Sequence, residues 1–103
     1  MKLNNIIKRV KSINSNIEFI GSFDVDNQKI GYWEYYSNGN LAWKGDFKNN
    51  LREGYWEIYY SNGNIRRKGV YKNGKEDGYW EEYWSNGNIR RKGNYNNGIY
   101  EIK

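Results

Sequence analysis

Carboxylates, guanidiniums, amines and phenols are the side chains of this chain that can do chemistry, because its 103 residues include no His and no Cys. The commonest general base, the thiol nucleophile and the usual transition-metal ligands are therefore missing. Paired carboxylates remain as a route to acid–base work, and Glu81-Glu82 and Glu76-Asp77 are adjacent pairs. Neighbours on a strand point to opposite faces, so Glu81 and Glu82 would not share a substrate there. Glu76-Asp77 follows Asn73-Gly74 and reads as a solvated turn. Asp24-Val25-Asp26-Asn27 offers calcium-type ligands without the remaining spacing of a calcium loop. No glycine pattern matches a phosphate-cradling loop. The expectation is a chain without catalytic, cofactor or metal residues.

Two basic triplets, Arg66-Arg67-Lys68 and Arg90-Arg91-Lys92, point elsewhere. Strand alternation sets Arg66 and Lys68 beside Tyr55 and Tyr59, and Arg90 and Lys92 beside Tyr79 and Tyr83. Tyr35 is the corresponding candidate in an earlier segment. Tyr and Arg are enriched as anchors in protein interfaces, so these nine residues form the candidate partner-binding set. The same face could stack single-stranded nucleic acid, or it could be a solvated sheet face whose arginines pair with Glu57 and Glu81. The net charge of +5 favours an acidic patch on a protein partner, or an anionic membrane surface. Nucleic acid is not favoured.

What must position these side chains is a repeat. Gly31-Tyr32-Trp33-Glu34 returns as Gly54-Tyr55-Trp56-Glu57 and as Gly78-Tyr79-Trp80-Glu81, each followed by Ser-Asn-Gly-Asn and a short strand ending in Lys-Gly. A period near 24 residues implies a stack of identical supersecondary units. The expected organisation is an N-terminal segment, 1–13, and repeats over 14–103. Full units span 31–53, 54–77 and 78–97, with partial units at 14–30 and 98–103. Low mean hydropathy, −1.14, would suggest disorder, but an aromatic content of 18% supplies the buried area instead. Leu3, Ile6, Ile7 and Val10 fall at helical spacing, which predicts a short amphipathic capping helix over residues 2–11. No apolar run is long enough for a membrane span or a secretory core, so a cytoplasmic chain is expected.

Within a unit the reading is a β-hairpin turning at Asn62-Gly63, with the type I′ geometry that Asn-Gly favours. That centre pairs Tyr60 with Ile65, Ile58 with Arg67 and Trp56 with Gly69 on one face. On the other it pairs Tyr59 with Arg66, Glu57 with Lys68 and Tyr55 with Val70. The third unit repeats this with Trp84–Ile89, Trp80–Gly93 and Glu81–Lys92. A mid-strand glycine opposite a tryptophan leaves room for the indole, which makes the Trp–Gly face the candidate core. The first unit has one residue fewer than the others after Glu34, and a bulge near Ala42-Trp43 is expected to absorb the difference.

Gly54, Trp56, Tyr59, Asn62, Gly63, Lys68, Gly69, Tyr71 and Gly74, with their counterparts in neighbouring units, closely resemble the MORN repeat, and most the bacterial variant often grouped with antitoxins. The resemblance covers about residues 14–100. It implies an all-β, single-domain solenoid of consecutive antiparallel hairpins that binds proteins and sometimes phospholipid. The function expected is non-catalytic protein binding, most concretely toxin neutralisation by occlusion in the manner of an antitoxin or immunity protein. A peripheral-membrane scaffold for anionic phospholipid is the alternative.

Overall fold

The computed structural model describes the backbone of residues 6–11 and 16–102, and the side chains of residues 16–102. The described residues form nine strands: β1 (Ile6–Lys11), β2 (Ile17–Phe23), β3 (Lys29–Ser37), β4 (Asn40–Lys48), β5 (Leu51–Tyr59), β6 (Ile65–Lys72), β7 (Lys75–Tyr83), β8 (Ile89–Asn96) and β9 (Ile99–Tyr100). They pair antiparallel in chain order, each with the next, as a single open sheet. Short connections between antiparallel strands make that order the direct outcome of the repeat.

The expected helix over residues 2–11 is corrected where it is described. Ile6–Lys11 is a strand, in register with β2 from Ile6↔Phe23 to Lys11↔Glu18. Left bare, β2 would present a row of unpaired N–H and C=O groups, and Ile6, Ile7 and Val10 are β-branched residues that suit a strand. Edge pairing outweighs a helical pattern that covers barely two turns. Residues 2–5 lie outside the described part.

A lone sheet has no second layer to pack against, yet Trp33, Trp56 and Trp80 are each 1% exposed or less. The burial is lateral. Each indole lies over the mid-strand glycine of the preceding strand: Trp33 over Gly21, Trp56 over Gly45 and Trp80 over Gly69. Each indole N–H also donates to a backbone carbonyl just past that glycine, at Ser22 (3.2 Å), Asp46 (3.0 Å) and Val70 (2.9 Å). Edge-to-face rings fill the gaps, with Phe47 and Tyr71 bridging successive tryptophans and Tyr95 packed beyond Trp80, at centroid distances of 4.9 to 6.2 Å. Cations close the outer side: Arg52 stands 5.1 Å from the Trp56 ring and Arg67 4.4 Å from that of Trp80.

The strand register is as expected in its middle and differs at its ends. Trp56↔Gly69, Glu57↔Lys68, Ile58↔Arg67 and Tyr55↔Val70 pair as the hairpin reading requires. Tyr59, however, faces Ile65, and Arg66 is bulged out. The turn is a three-residue loop, Ser61-Asn62-Gly63: the Gly63 N–H donates to the Tyr60 carbonyl (3.0 Å), and only Gly63 has positive φ. That is a type I turn closed by a glycine bulge rather than type I′. The third unit behaves alike, with Tyr83↔Ile89 and Arg90 bulged. The first unit has the type I′ turn, with Asn38 and Gly39 both at positive φ. Its bulge at Ala42 is present as expected. Because Ala42, Arg66 and Arg90 are equivalent, the turn, not the bulge, absorbs the missing residue.

Candidate functional site

Counting from each buried tryptophan, the residues at −1, +1 and +3 fall on the opposite face. In all three units they are Tyr, Glu and Tyr: Tyr32-Glu34-Tyr36, Tyr55-Glu57-Tyr59 and Tyr79-Glu81-Tyr83. Each glutamate accepts hydrogen bonds from both flanking phenols. The distances are 2.8 Å from Tyr32 and Tyr36, 2.7 Å from Tyr55 and 2.9 Å from Tyr79, and Tyr59 and Tyr83 complete their clamps. A carboxylate held this way fixes two aromatic rings on the same face. The lysines of the return strands complete the pattern, Lys44 with Glu57 (3.4 Å) and Lys68 with Glu81 (3.6 Å).

Burial alone would raise the Glu57 carboxyl, but the hydrogen bonds from Tyr59 and Tyr55 and the Lys44 charge hold it below its ordinary range. Glu81 is lowered chiefly by the hydrogen bonds from Tyr83 and Tyr79. The phenols respond in the opposite sense. Burial and the Glu57 hydrogen bond push Tyr55 up to about 12, and the Glu81 hydrogen bond and burial push Tyr83 up to about 12. At neutral pH the second and third clamps are each one carboxylate between two neutral phenols.

The sequence candidates divide. Tyr55, Tyr59, Lys68, Tyr79, Tyr83 and Lys92 belong to this face. Tyr35 lies on the tryptophan face, stacked between Phe19 and Trp43 at centroid distances of 6.4 and 4.9 Å. Its assignment followed the wrong tyrosine of Tyr35-Tyr36. Tyr36 closes the first clamp, and alternation from Glu34 selects it. Arg66 and Arg90 occupy the bulges, which re-aim a side chain. There they leave the tyrosine clamps: Arg66 lies 5.9 Å from the Tyr60 ring, and Arg90 lies 4.9 Å from that of Trp84 and 3.8 Å from a Glu82 oxygen. Tyr32, Glu34 and Lys44 were missed, although Tyr32 stands in the same phrase as Tyr55 and Tyr79.

Arg66, Arg67, Arg90 and Arg91 gather with Glu82 around a hollow of about 270 Å³ at the turn end of the last two hairpins. Glu82 meets Arg91 at 3.0 Å and Arg67 at 3.6 Å, and Arg67 also meets Glu76 at 3.1 Å. The two adjacent carboxylate pairs of the sequence are thus taken up in the sheet: Glu81 and Glu82 serve opposite faces. Asp24 Oδ1 accepts the backbone N–H groups of Asp26 and Gln28 at 2.9 Å each, a turn-closing role. Among the described residues no group of His, Cys, Asp and Glu could hold a metal ion, and no helix is long and apolar enough to cross a membrane.

An open, single-layer sheet of repeated hairpins, with one face sealed by aromatic rings and the other set with fixed tyrosines, defines a scaffold of the binding-repeat class. Residues 52–73 and 76–97 each match the family model of the MORN repeat variant, so these two units are MORN repeats. MORN repeats are generally protein- or membrane-binding modules. No curated protein matches the chain.

Proposed function

We propose that the chain is a non-catalytic protein-binding module that engages its partner through the Tyr–Glu–Lys face. The observation that carries this reading is the equal presentation of Tyr32, Tyr55 and Tyr79, which are 50%, 52% and 49% exposed. Each is pinned by its own glutamate, so little side-chain entropy remains to be lost on binding. An acidic patch on the partner would meet Arg66 and Arg90 at the turn end. The concrete form suggested by the antitoxin-grouped resemblance is a cytoplasmic antitoxin or immunity protein that neutralises a toxin by occluding its working surface. Cross-linking and capture by the wild type should be lost in Tyr55→Ala/Tyr59→Ala/Tyr79→Ala. Equal capture by that variant would refute the assignment of the face. For the toxin version, growth arrest caused by the product of the adjacent reading frame should be relieved by the wild type and not by the triple variant.

The arginine hollow supports a second reading, a peripheral-membrane scaffold. Arg67 Nε is buried there with no hydrogen-bond partner, and four guanidiniums face two carboxylates. Anionic headgroups would meet such a site electrostatically. Sedimentation with anionic vesicles that disappears on Arg66→Ala/Arg90→Ala, and at high salt, would favour this reading over the first.

A further inference from the structure

Between successive exposed tyrosines the Tyr–Glu–Lys face is notched. The first notch, about 310 Å³, runs from Tyr32 to Tyr55 over Gly45 and Asp46. The second, about 490 Å³, runs from Tyr55 to Tyr79 over Gly69 and Val70. Equivalent notches recur every two strands, which at the spacing of neighbouring strands is about 9.5 Å. That distance selects among the ways a peptide could cross the sheet. A polyproline II helix repeats its facing side chain every third residue, about 9.3 Å. An extended β-strand repeats every second residue, about 6.7 Å, and a helix at every seventh, about 10.5 Å. Only the first keeps step with the row.

We propose that these notches are a docking track for a polyproline II segment, with proline or another compact apolar residue at every third position and a cationic residue beside them. The inference rests on the protein-binding reading and names the partner's chemistry. Tyrosine-walled grooves suit such segments because the ligand is already ordered in solution. The pinned rings supply flat apolar walls, and Val70, 41% exposed, adds an apolar floor. The cation follows from charge. Each notch holds one lysine, Lys44 or Lys68, already paired with Glu57 or Glu81. Asp46 in one notch and Asp77 in the other leave each with a net negative charge. An acidic ligand suits the arginine hollow instead, so the two surfaces are chemically distinct.

The test uses the full chain and three labelled synthetic peptides: an arginine-flanked Pro-x-x-Pro, the same peptide with one residue inserted between the prolines, and an aspartate-flanked Pro-x-x-Pro. The first should bind, and the other two should be weaker by about fivefold or more, a difference of about 1 kcal/mol. Tyr55 walls both notches, so Tyr55→Ala should weaken the first peptide about tenfold, the scale of a modest aromatic hot spot. Val25→Ala, in the exposed β2–β3 turn outside both notches, should leave it unchanged. Absence of binding, indifference to the inserted residue, or full affinity in Tyr55→Ala would overturn the proposal. If the peptides fail while the tyrosine variants still lose the captured partner, the polyproline inference falls and the proposed function stands. If the variants keep the partner too, both fall.

Discussion

A methyl group added at Gly69 would stand 2.2 Å from Trp80 Cδ2, far inside van der Waals contact, and the indole has no free space to retreat into. Gly69→Ala should therefore cost at least the upper end of the ~1–3 kcal/mol usual for overpacking. Gly63→Ala meets no atom within 4 Å and is strained only by φ of 93°, worth about 1–2 kcal/mol. Urea denaturation separates them, and equal losses would show that the glycine seat is not what buries the tryptophans. The seat was half legible in the sequence. Mid-strand glycine opposite tryptophan is a matter of hairpin arithmetic, but Gly69 lies in register with both Trp56 and Trp80. Each strand residue is hydrogen-bonded to one neighbour and faces the other across a closer gap, and counting within one hairpin offers only the first. The same held for charge, since Lys68 pairs with Glu81 of the next hairpin. Titration belongs at this scale too. Glu57, Glu81 and Glu82 are held below their ordinary 4.5, so the unfolded chain binds more protons in acid. Their contribution is present above that value and lost as pH falls below it. Tyr55 and Tyr83 stay protonated up to about 12 in the fold against an ordinary 10. Their contribution is whole below pH 10 and lost between 10 and about 12. Thermal melts across pH should show both limbs, and Glu57→Gln should flatten both. An unchanged alkaline limb in that variant would rule out the clamp as its source.

Hairpins are joined to one another at both ends of the strands. At the three-residue turns, the Tyr60 hydroxyl donates to the Tyr83 carbonyl at 2.7 Å, and the Asn62 and Asn64 amides donate to the Ser85 carbonyl at 2.9 Å each. At the linking turns, the Asn50, Gly74 and Gly98 N–H groups reach the Lys29, Arg52 and Glu76 carbonyls, at 3.0, 2.9 and 2.8 Å. The linking turns share the type I′ geometry of the first unit's turn, with Asn73-Gly74 and Asn97-Gly98 both at positive φ. Sequence reading gave that geometry to Asn62-Gly63 instead, because an Asn-Gly pair by itself does not say how many residues its loop contains. The extra residue of the longer units falls in the turn, which follows only once the bulge at Arg66 or Arg90 is known. That bulge carries no signal, since Arg is an ordinary strand residue there. It is also why two of the nine candidate side chains were placed on the wrong side. Tyr60→Phe tests the ladder: it removes one hydroxyl and no ring, and should cost about 1 kcal/mol. Hydrogen exchange at the turn of the last hairpin should quicken in step. A variant as stable as the wild type would show that turns stack as a consequence of strand pairing and add nothing to it.

The slab formed by the nine strands measures 47 × 32 × 17 Å, and within it each unit touches only the units before and after. Stability should then be a sum of unit terms and neighbour terms, and a whole unit should be removable. Deleting residues 54–77 joins Glu53 to Gly78 and keeps the phrase Gly-Tyr-Trp-Glu behind a linking turn, Asn49-Asn50, that already has positive φ at both positions. Trp80 then finds Gly45 where it had Gly69, its indole N–H finds the Asp46 carbonyl in place of Val70, and Glu81 finds Lys44 in place of Lys68. Every substituted contact already exists in the intact chain one unit earlier. What is lost is the ladder between the two three-residue loops, because the remaining three-residue loop would adjoin the two-residue loop of the first unit, as the loop of the second unit already does. The shortened chain should fold cooperatively, with a denaturant slope about three quarters of the original, in proportion to its length. An aggregated or molten product would mean that the first unit, with its shorter turn and its Tyr35–Trp43 stack, is fitted to the particular unit that follows it and not to the repeat in general.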